Sequence, residues 1–146
     1  MFRVRTILYP TDFSSYSNQA YLHAVALAEK YRATLFVVHV THPGPAEHQE
    51  YWRGQLEQIR PANPRIPVEH VLLEGDPALE IVRFARDSRI SLVVMGTHGR
   101  TGVERMLMGS VAERVLRDAP CSVLVVKLPV GRPRGARADA ALVAGR

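Results

Sequence analysis

Cysteine is nearly absent from this chain: Cys121 stands alone, so no disulfide can close within it, and the expected compartment is the reducing cytoplasm. Aromatic residues are sparse at 7%, and Lys30 and Lys127 are the two lysines among 19 basic residues. No apolar run approaches the ~18 residues of a membrane span. No small-residue cleavage site comes after the short apolar stretch ending at Tyr9-Pro10-Thr11-Asp12, so no secretory leader is expected either. Several chemistries lack their signatures too. Gly-x-x-x-x-Gly-Lys-Ser/Thr is missing, which excludes a P-loop, and Gly-x-Gly-x-x-Gly is missing, which excludes the dinucleotide fingerprint. No Gly-x-Ser-x-Gly presents a serine nucleophile, and no His-x-x-x-His or Cys-x-x-Cys pair builds a metal face.

What is present is enough for one ordinary domain: 146 residues, of which 47% are hydrophobic and 23% charged. The formal charge of +5 suggests nucleic acid until it is located. Arg132, Arg134, Arg137 and Arg146 against Asp139 place +3 of it in the last nineteen residues, which leaves +2 for residues 1–127. A nucleic-acid surface calls for a clustered basic stripe with interleaved aromatics, and the body of the sequence has neither. Nucleic acid is therefore not an expected partner, and neither is a membrane. The tail, 128–146, holds Arg, Pro, Gly and Ala without periodicity and is expected to be disordered.

Within 1–127 apolar runs alternate with amphipathic segments. RTILY at 5–9, TLFVVHV at 34–40, SLVVM at 91–95 and SVLVVK at 122–127 are continuous and rich in β-branched residues, as strands covered on both faces are. PVEHVLLE at 67–74 alternates more, as a strand nearer an edge would. Helical spacing places Ala20, Ala24, Leu27, Ala28 and Tyr31 on one face after a Ser14 or Ser17 cap. Asp76-Pro77 reads as N-cap and N1 of a helix burying Ala78, Ile81, Val82 and Ala85. A last helix over about 110–118 buries Val111, Val115 and Leu116, and 45–59 reads as a weaker one carrying Tyr51 and Trp52 against the sheet or a partner subunit. The βαβαβαβαβ order predicts an α/β fold: one three-layer domain, an open parallel five-stranded sheet with helices on both faces, Rossmann-like. Ligands of such sheets sit beyond the C-terminal strand ends, which directs attention to the residues just after Tyr9, Val40, Glu74 and Met95.

VVMGTHGRTGVERMLMGSV, 93–111, is the richest of these stretches. Glycines at a strand end let backbone approach a ligand, and Gly109-Ser110 opens a helix whose free N–H groups favour a phosphate. Arg100 lies between the glycine clusters, where a guanidinium can grip phosphoryl oxygens. Singly, each glycine is a turn former and Ser110 a cap; together they describe a phosphate cradle. Asp12 after the first strand reads either as a carboxylate for ribose or a divalent cation or as an Asx-turn or helix cap, and the main chain at His39-Val40-Thr41 can address a base edge.

These residues resemble the universal stress protein family, in its ATP-binding branch. The likeness runs from Thr6 to Lys127 through ILYPTDFS at 7–14, His39-Val40, Gly75-Asp76-Pro77 and the spaced Gly-x2-Gly-x9-Gly-Ser/Thr at Gly96, Gly99, Gly109 and Ser110. The resemblance implies strand order 3-2-1-4-5 and ATP in the crevice between the first and fourth strands. Pro10, Thr11 and Asp12 would then line the adenosine side, with Asp12 on the ribose. Val40 would meet adenine through its main chain, and Met95 with Gly96 would close the nucleoside pocket. Gly99, Arg100, Gly109, Ser110 and Val111 would hold the phosphates, with Mg2+ able to ride on the triphosphate and no dedicated protein ligands for it.

In that strand order the apolar run Val123 to Val126 forms an exposed sheet edge, and pairing it with a second copy gives a homodimer. His98 reads as a loop histidine or a phosphate contact, and Cys121 as a buried, unreactive thiol. No general base is evident beside a γ-phosphate unless Asp12 or Glu113 serves, which argues against an efficient enzyme. The expected function is thus an ATP-binding stress or signalling module with slow hydrolysis or none and a downstream partner the sequence does not name. The rival is a true ATPase or nucleotidyl transferase in the same pocket.

Overall fold

A computed structural model describes residues 2–98 and 108–127; Gly99, Arg100 and the tail from 128 lie outside the described residues. Nine elements alternate along the described chain: β1 Thr6–Pro10, α1 Ser15–Tyr31, β2 Thr34–Thr41, α2 Ala46–Glu57, β3 Val68–Glu74, α3 Pro77–Asp87, β4 Leu92–Gly96, α4 Ser110–Asp118 and β5 Ser122–Val126. The strands form one parallel sheet in the order β3-β2-β1-β4-β5. The expected α/β architecture and strand order are those observed, with most strand ends displaced by a single residue.

Alternation along the strands divides the core in two. Ile7, Tyr9, Leu35, Val37 and Val94 face α1 and α2, while Leu8, Val38, Val93 and Met95 face α3 and α4. Each fully buried Leu, Ile or Val contributes about 1.5–3 kcal/mol of burial. Helix α1 lays Ala20, Ala24 and Ala28 against the sheet, one turn apart, so the backbone lies close to the strands. Ser14 caps it by accepting from Ser17 N. Asp76 caps α3 in the same way through Leu79 N, with Pro77 in the first turn, and Ala78, Ile81, Val82 and Ala85 are buried as their spacing predicts. Of the expected core residues, Leu27 and Val111 are half-buried and two others are exposed. Tyr31 is 48% exposed and Leu116 47% exposed, because α4 buries Ala112 and Val115 and Leu116 lies a further 100° around the helix. Tyr31 ends α1, where the chain turns away through Arg32 in the left-handed conformation.

The ladders are uneven in a way that positions the site. β2 and β3 are in register over seven pairs, Leu35↔Val68 to Thr41↔Glu74, and β4 and β5 over five. Between β1 and β4 the register holds only at Ile7↔Leu92 and Leu8↔Val93. Below those pairs the seam is pinned, Ser91 N donating to Thr6 Oγ1 (2.9 Å) and Arg5 N to Ser91 Oγ (3.1 Å). Above them it opens.

Candidate functional site

A cavity of about 520 Å³ occupies that opening at the C-terminal ends of the strands. Pro10, Thr11, Asp12, Val40, Met95, Gly96, Gly109, Ser110 and Val111 all line it, so every described residue singled out in the sequence as a nucleotide ligand meets at one place. Gly99 and Arg100 fall outside the described residues.

One end of the cavity is main chain. Thr11 N donates to Val38 O (2.8 Å) and Gly75 N to Thr41 O (3.0 Å), so Val38 faces β1 while Thr41 faces β3. Strand groups alternate sides, which turns the N–H and C=O of Val40 toward β1. The β1–β2 register stops at Pro10↔Val38, and Val40 therefore addresses the cavity instead of a neighbouring strand.

The other end is the start of α4. Glu113 N makes the first helical bond, to Gly109 O (3.0 Å), which leaves the N–H groups of Ser110, Val111 and Ala112 without helical partners. Gly109 supplies no side-chain cap, and all four residues line the cavity, so the positive end of the helix opens directly into it. Gly109 N in turn donates to Thr97 O (2.6 Å), tying the helix start to the end of β4.

The glycines serve packing as well as space. A Cβ at Gly96 would stand 2.6 Å from Tyr16 O, so this glycine admits the first turn of α1 against β4. A Cβ at Gly109 would meet Thr97 O at 3.2 Å and His98 Cα at 3.3 Å, with φ at an ordinary −74°. Any side chain at 109 therefore presses on the main chain at the end of β4.

Asp12 makes the Asx-turn, its Oδ1 accepting from Ser14 N (3.0 Å), and also stands in the cavity wall. Below it, Thr11 Oγ1 accepts from Phe13 N (2.9 Å) and lies 3.1 Å from Ser17 Oγ, a buried hydroxyl pair that fixes the floor. Tyr9 OH donates to Ser17 O (2.8 Å) in the same region, and burial pushes its phenol up to about 12.

Other cavity residues had at most a weak signal in the sequence. Trp52 of α2 reaches the strand ends and stands 5.4 Å from Phe13, nearly parallel to it, and 4.7 Å from His39. Trp52 Nε1 donates to His48 Nε2 (3.1 Å), and His39 Nδ1 donates to Thr11 O (2.8 Å). Phe13 takes φ 65°, a left-handed conformation that costs a bulky residue about 1 kcal/mol or more, and its ring thereby meets His39 and Trp52. The sequence reading puts Trp52 against the sheet or a partner; it packs on His39 of β2 and forms part of the cavity wall as well. His98 also lines the cavity, its ring 5.0 Å from Tyr16 and its buried Nε2 without a hydrogen-bond partner among the described residues.

Elsewhere, Cys121 is half-buried, and burial raises its thiol above the usual range. Among the described residues no group of three or more His, Cys, Asp or Glu side chains could hold a metal ion, and no helix is long and apolar enough to cross a membrane.

Comparison with known proteins agrees with this architecture. The family model described as the universal stress protein family matches residues 3–127. A universal stress protein of Methanocaldococcus jannaschii is 38% identical over 143 residues, with 86% of this chain and 83% of that protein covered. One from Thermus aquaticus is 33% identical over 135 residues, with 84% and 98% covered. Among solved structures, a universal stress protein in complex with cAMP superimposes with a TM-score of 0.67 at 27% identity, over 86% of this chain and 98% of that one. Family model, sequence identity and fold converge: the chain belongs to the universal stress protein family.

Proposed function

We propose that this chain binds ATP in the cavity between β1 and β4 and acts as a nucleotide-responsive stress or signalling module, with slow hydrolysis or none. The observation that carries the reading is one cavity with outward-turned main chain at Val40 at one end and the uncapped start of α4 at the other. The first suits the hydrogen-bonding edge of adenine, and the second suits phosphate oxygens. Between them Asp12 addresses the ribose, and Met95, Gly96 and Val111 close over the nucleoside and α-phosphate. Gly99 and Arg100 complete the phosphate grip in this reading. Mg2+ is carried by the triphosphate oxygens in this reading. That a related structure holds cAMP supports an adenine nucleotide as the ligand class. The module works as a homodimer joined through β5 and signals to a downstream protein.

Thermal shift with ATP and Mg2+ tests the reading, because a ligand that binds only the folded state raises its midpoint. Ser110→Pro is the discriminating variant. Proline is well tolerated at the first position of a helix, and the extended Gly109 before it (φ −74°, ψ 164°) suits a residue preceding proline. The substitution therefore keeps the helix and deletes one N–H aimed at phosphate. ATP binding is expected to weaken by about tenfold or more, with adenosine binding little changed. Asp12→Ala is expected to weaken ATP and AMP alike. An unaltered protein whose midpoint ATP does not move would refute the reading.

A further inference from the structure

We propose that Trp52 covers the base of the bound nucleotide and that α2, which carries it, is the element that registers occupancy of the cavity. The proposal rests on the nucleotide reading above and extends it to a helix outside the glycine motif.

Helix α2 is lightly held. Leu56 is its one buried residue, and its N-cap, Pro45, makes no side-chain capping bond. A helix with so little burial has low local stability, so any added contact changes its opening equilibrium. The one tryptophan of the sequence nevertheless stands on this helix and in the cavity wall.

The wall is built in two parts. On the sheet side, His39 is fixed by its Nδ1–H on Thr11 O (2.8 Å), and Phe13 is held at φ 65° with its ring 4.9 Å from that of His39. A left-handed backbone at a bulky residue persists only where the surroundings over-determine it, and such strain gathers at functional sites. On the helix side, Trp52 is oriented by its Nε1–H on His48 Nε2 (3.1 Å), one turn away, and its ring lies against Phe13 and His39. Thr41 Oγ1 lies 3.1 Å from the same His48 nitrogen, linking the pair to the end of β2.

Val40, whose main chain addresses the base edge, precedes Thr41 on that strand end. Hydrogen bonds at Val40 fix the edge of a base and leave its plane to be held by neighbouring rings. Aromatic side chains hold bases of any sequence because every base presents a π-face. A base seated at Val40 thus adds a further ring contact at Trp52, beside those with Phe13 and His39, on a helix with one buried residue.

The test uses the full chain in three measurements. ATP with Mg2+ is expected to change the emission of Trp52 saturably, with the same midpoint as the thermal shift, and to slow amide exchange over 46–57 several-fold. Trp52→Ala is expected to bind ATP about tenfold more weakly and to lose the α2 protection, with Trp52→Phe recovering most of both. Ribose 5-phosphate, which has no base, is expected to bind the parent and Trp52→Ala equally. A parent that ATP stabilises, with unchanged emission and unchanged α2 exchange, overturns the inference and leaves the nucleotide reading standing. So does Trp52→Ala binding ATP as the parent does. A parent that ATP does not stabilise at all overturns both. Should Trp52→Ala fail to fold, the emission and exchange of the unaltered chain still decide.

Discussion

At the scale of single residues, the buried hydroxyls under the cavity carry a measurable signature. Tyr9 is 1% exposed, and its phenol, pushed up to about 12 by burial, resists ionisation in the folded protein while the unfolded chain ionises near 10. A folded pKa above the unfolded one gives a contribution that is complete below pH 10 and is lost as pH rises through about 12. Stability is therefore expected to fall by up to about 1.4 kcal/mol per pH unit across that window from this group alone. Tyr9→Phe should flatten that part of the profile in a denaturant titration run at several pH values. An equal slope in the variant would assign the loss to other groups. The same environment sets the limits of what the sequence could say. Asp12, Val40 and Gly109 were legible because a parallel sheet fixes where strand ends must lie. His42 and His48 were not: they carry no motif in the sequence, yet they line one cavity with His39 and His98, which a strand end and the glycine stretch had marked.

At the scale of elements, the strands were legible because a sheet covered on both faces demands uninterrupted apolar runs. Helix α3 was legible because Asp76 and Pro77 mark its start unambiguously. Helix α2 was found only as a weak pattern, and a lone tryptophan on it carries no periodicity that tells core from cavity wall. Leu116 was misplaced for a related reason, since in a helix of 9 residues an apolar position 100° off the buried stripe still looks like part of it. The docking of α1 on β4 was likewise hidden, because a glycine that makes room for a ligand and one that makes room for a helix are the same letter. Gly96→Ala tests that docking: its Cβ would stand 2.6 Å from Tyr16 O, a backbone atom with no rotamer to yield. A loss of about 1–3 kcal/mol is expected in chemical denaturation. A variant as stable as the parent would mean that the first turn of α1 shifts freely.

At the scale of the whole molecule, β5 closes one side of the sheet order and no further strand pairs with it among the described residues. Val126 O accepts from Thr97 N (3.2 Å), so Val126 and Leu124 turn their main chain toward β4, and Val123 and Val125 turn theirs outward. Leu124 is 37% exposed beside that edge. An unprotected apolar edge invites pairing, and a second copy about a two-fold axis satisfies both edges together. Val125→Pro removes one outward donor and leaves the β4 ladder intact. It is expected to convert a dimer to a monomer in sedimentation at micromolar concentration, with little change in the helical circular dichroism. A parent that is already monomeric there would sink the proposed assembly.

The seam between β1 and β4 has one more consequence, a mechanical one. Two register pairs join the halves of the sheet, pinned below by Thr6 and Ser91 and parted above by the cavity. That is the geometry of a clothes-peg, with its pivot at the pinned end and its jaws at Val40 and at the start of α4. A ligand gripped by both jaws works at the longest lever arm the sheet offers. A ligand of the proposed kind, reaching from Val40 to the start of α4, would tie β2 to α4 across the part of the seam where the β1–β4 register has ended.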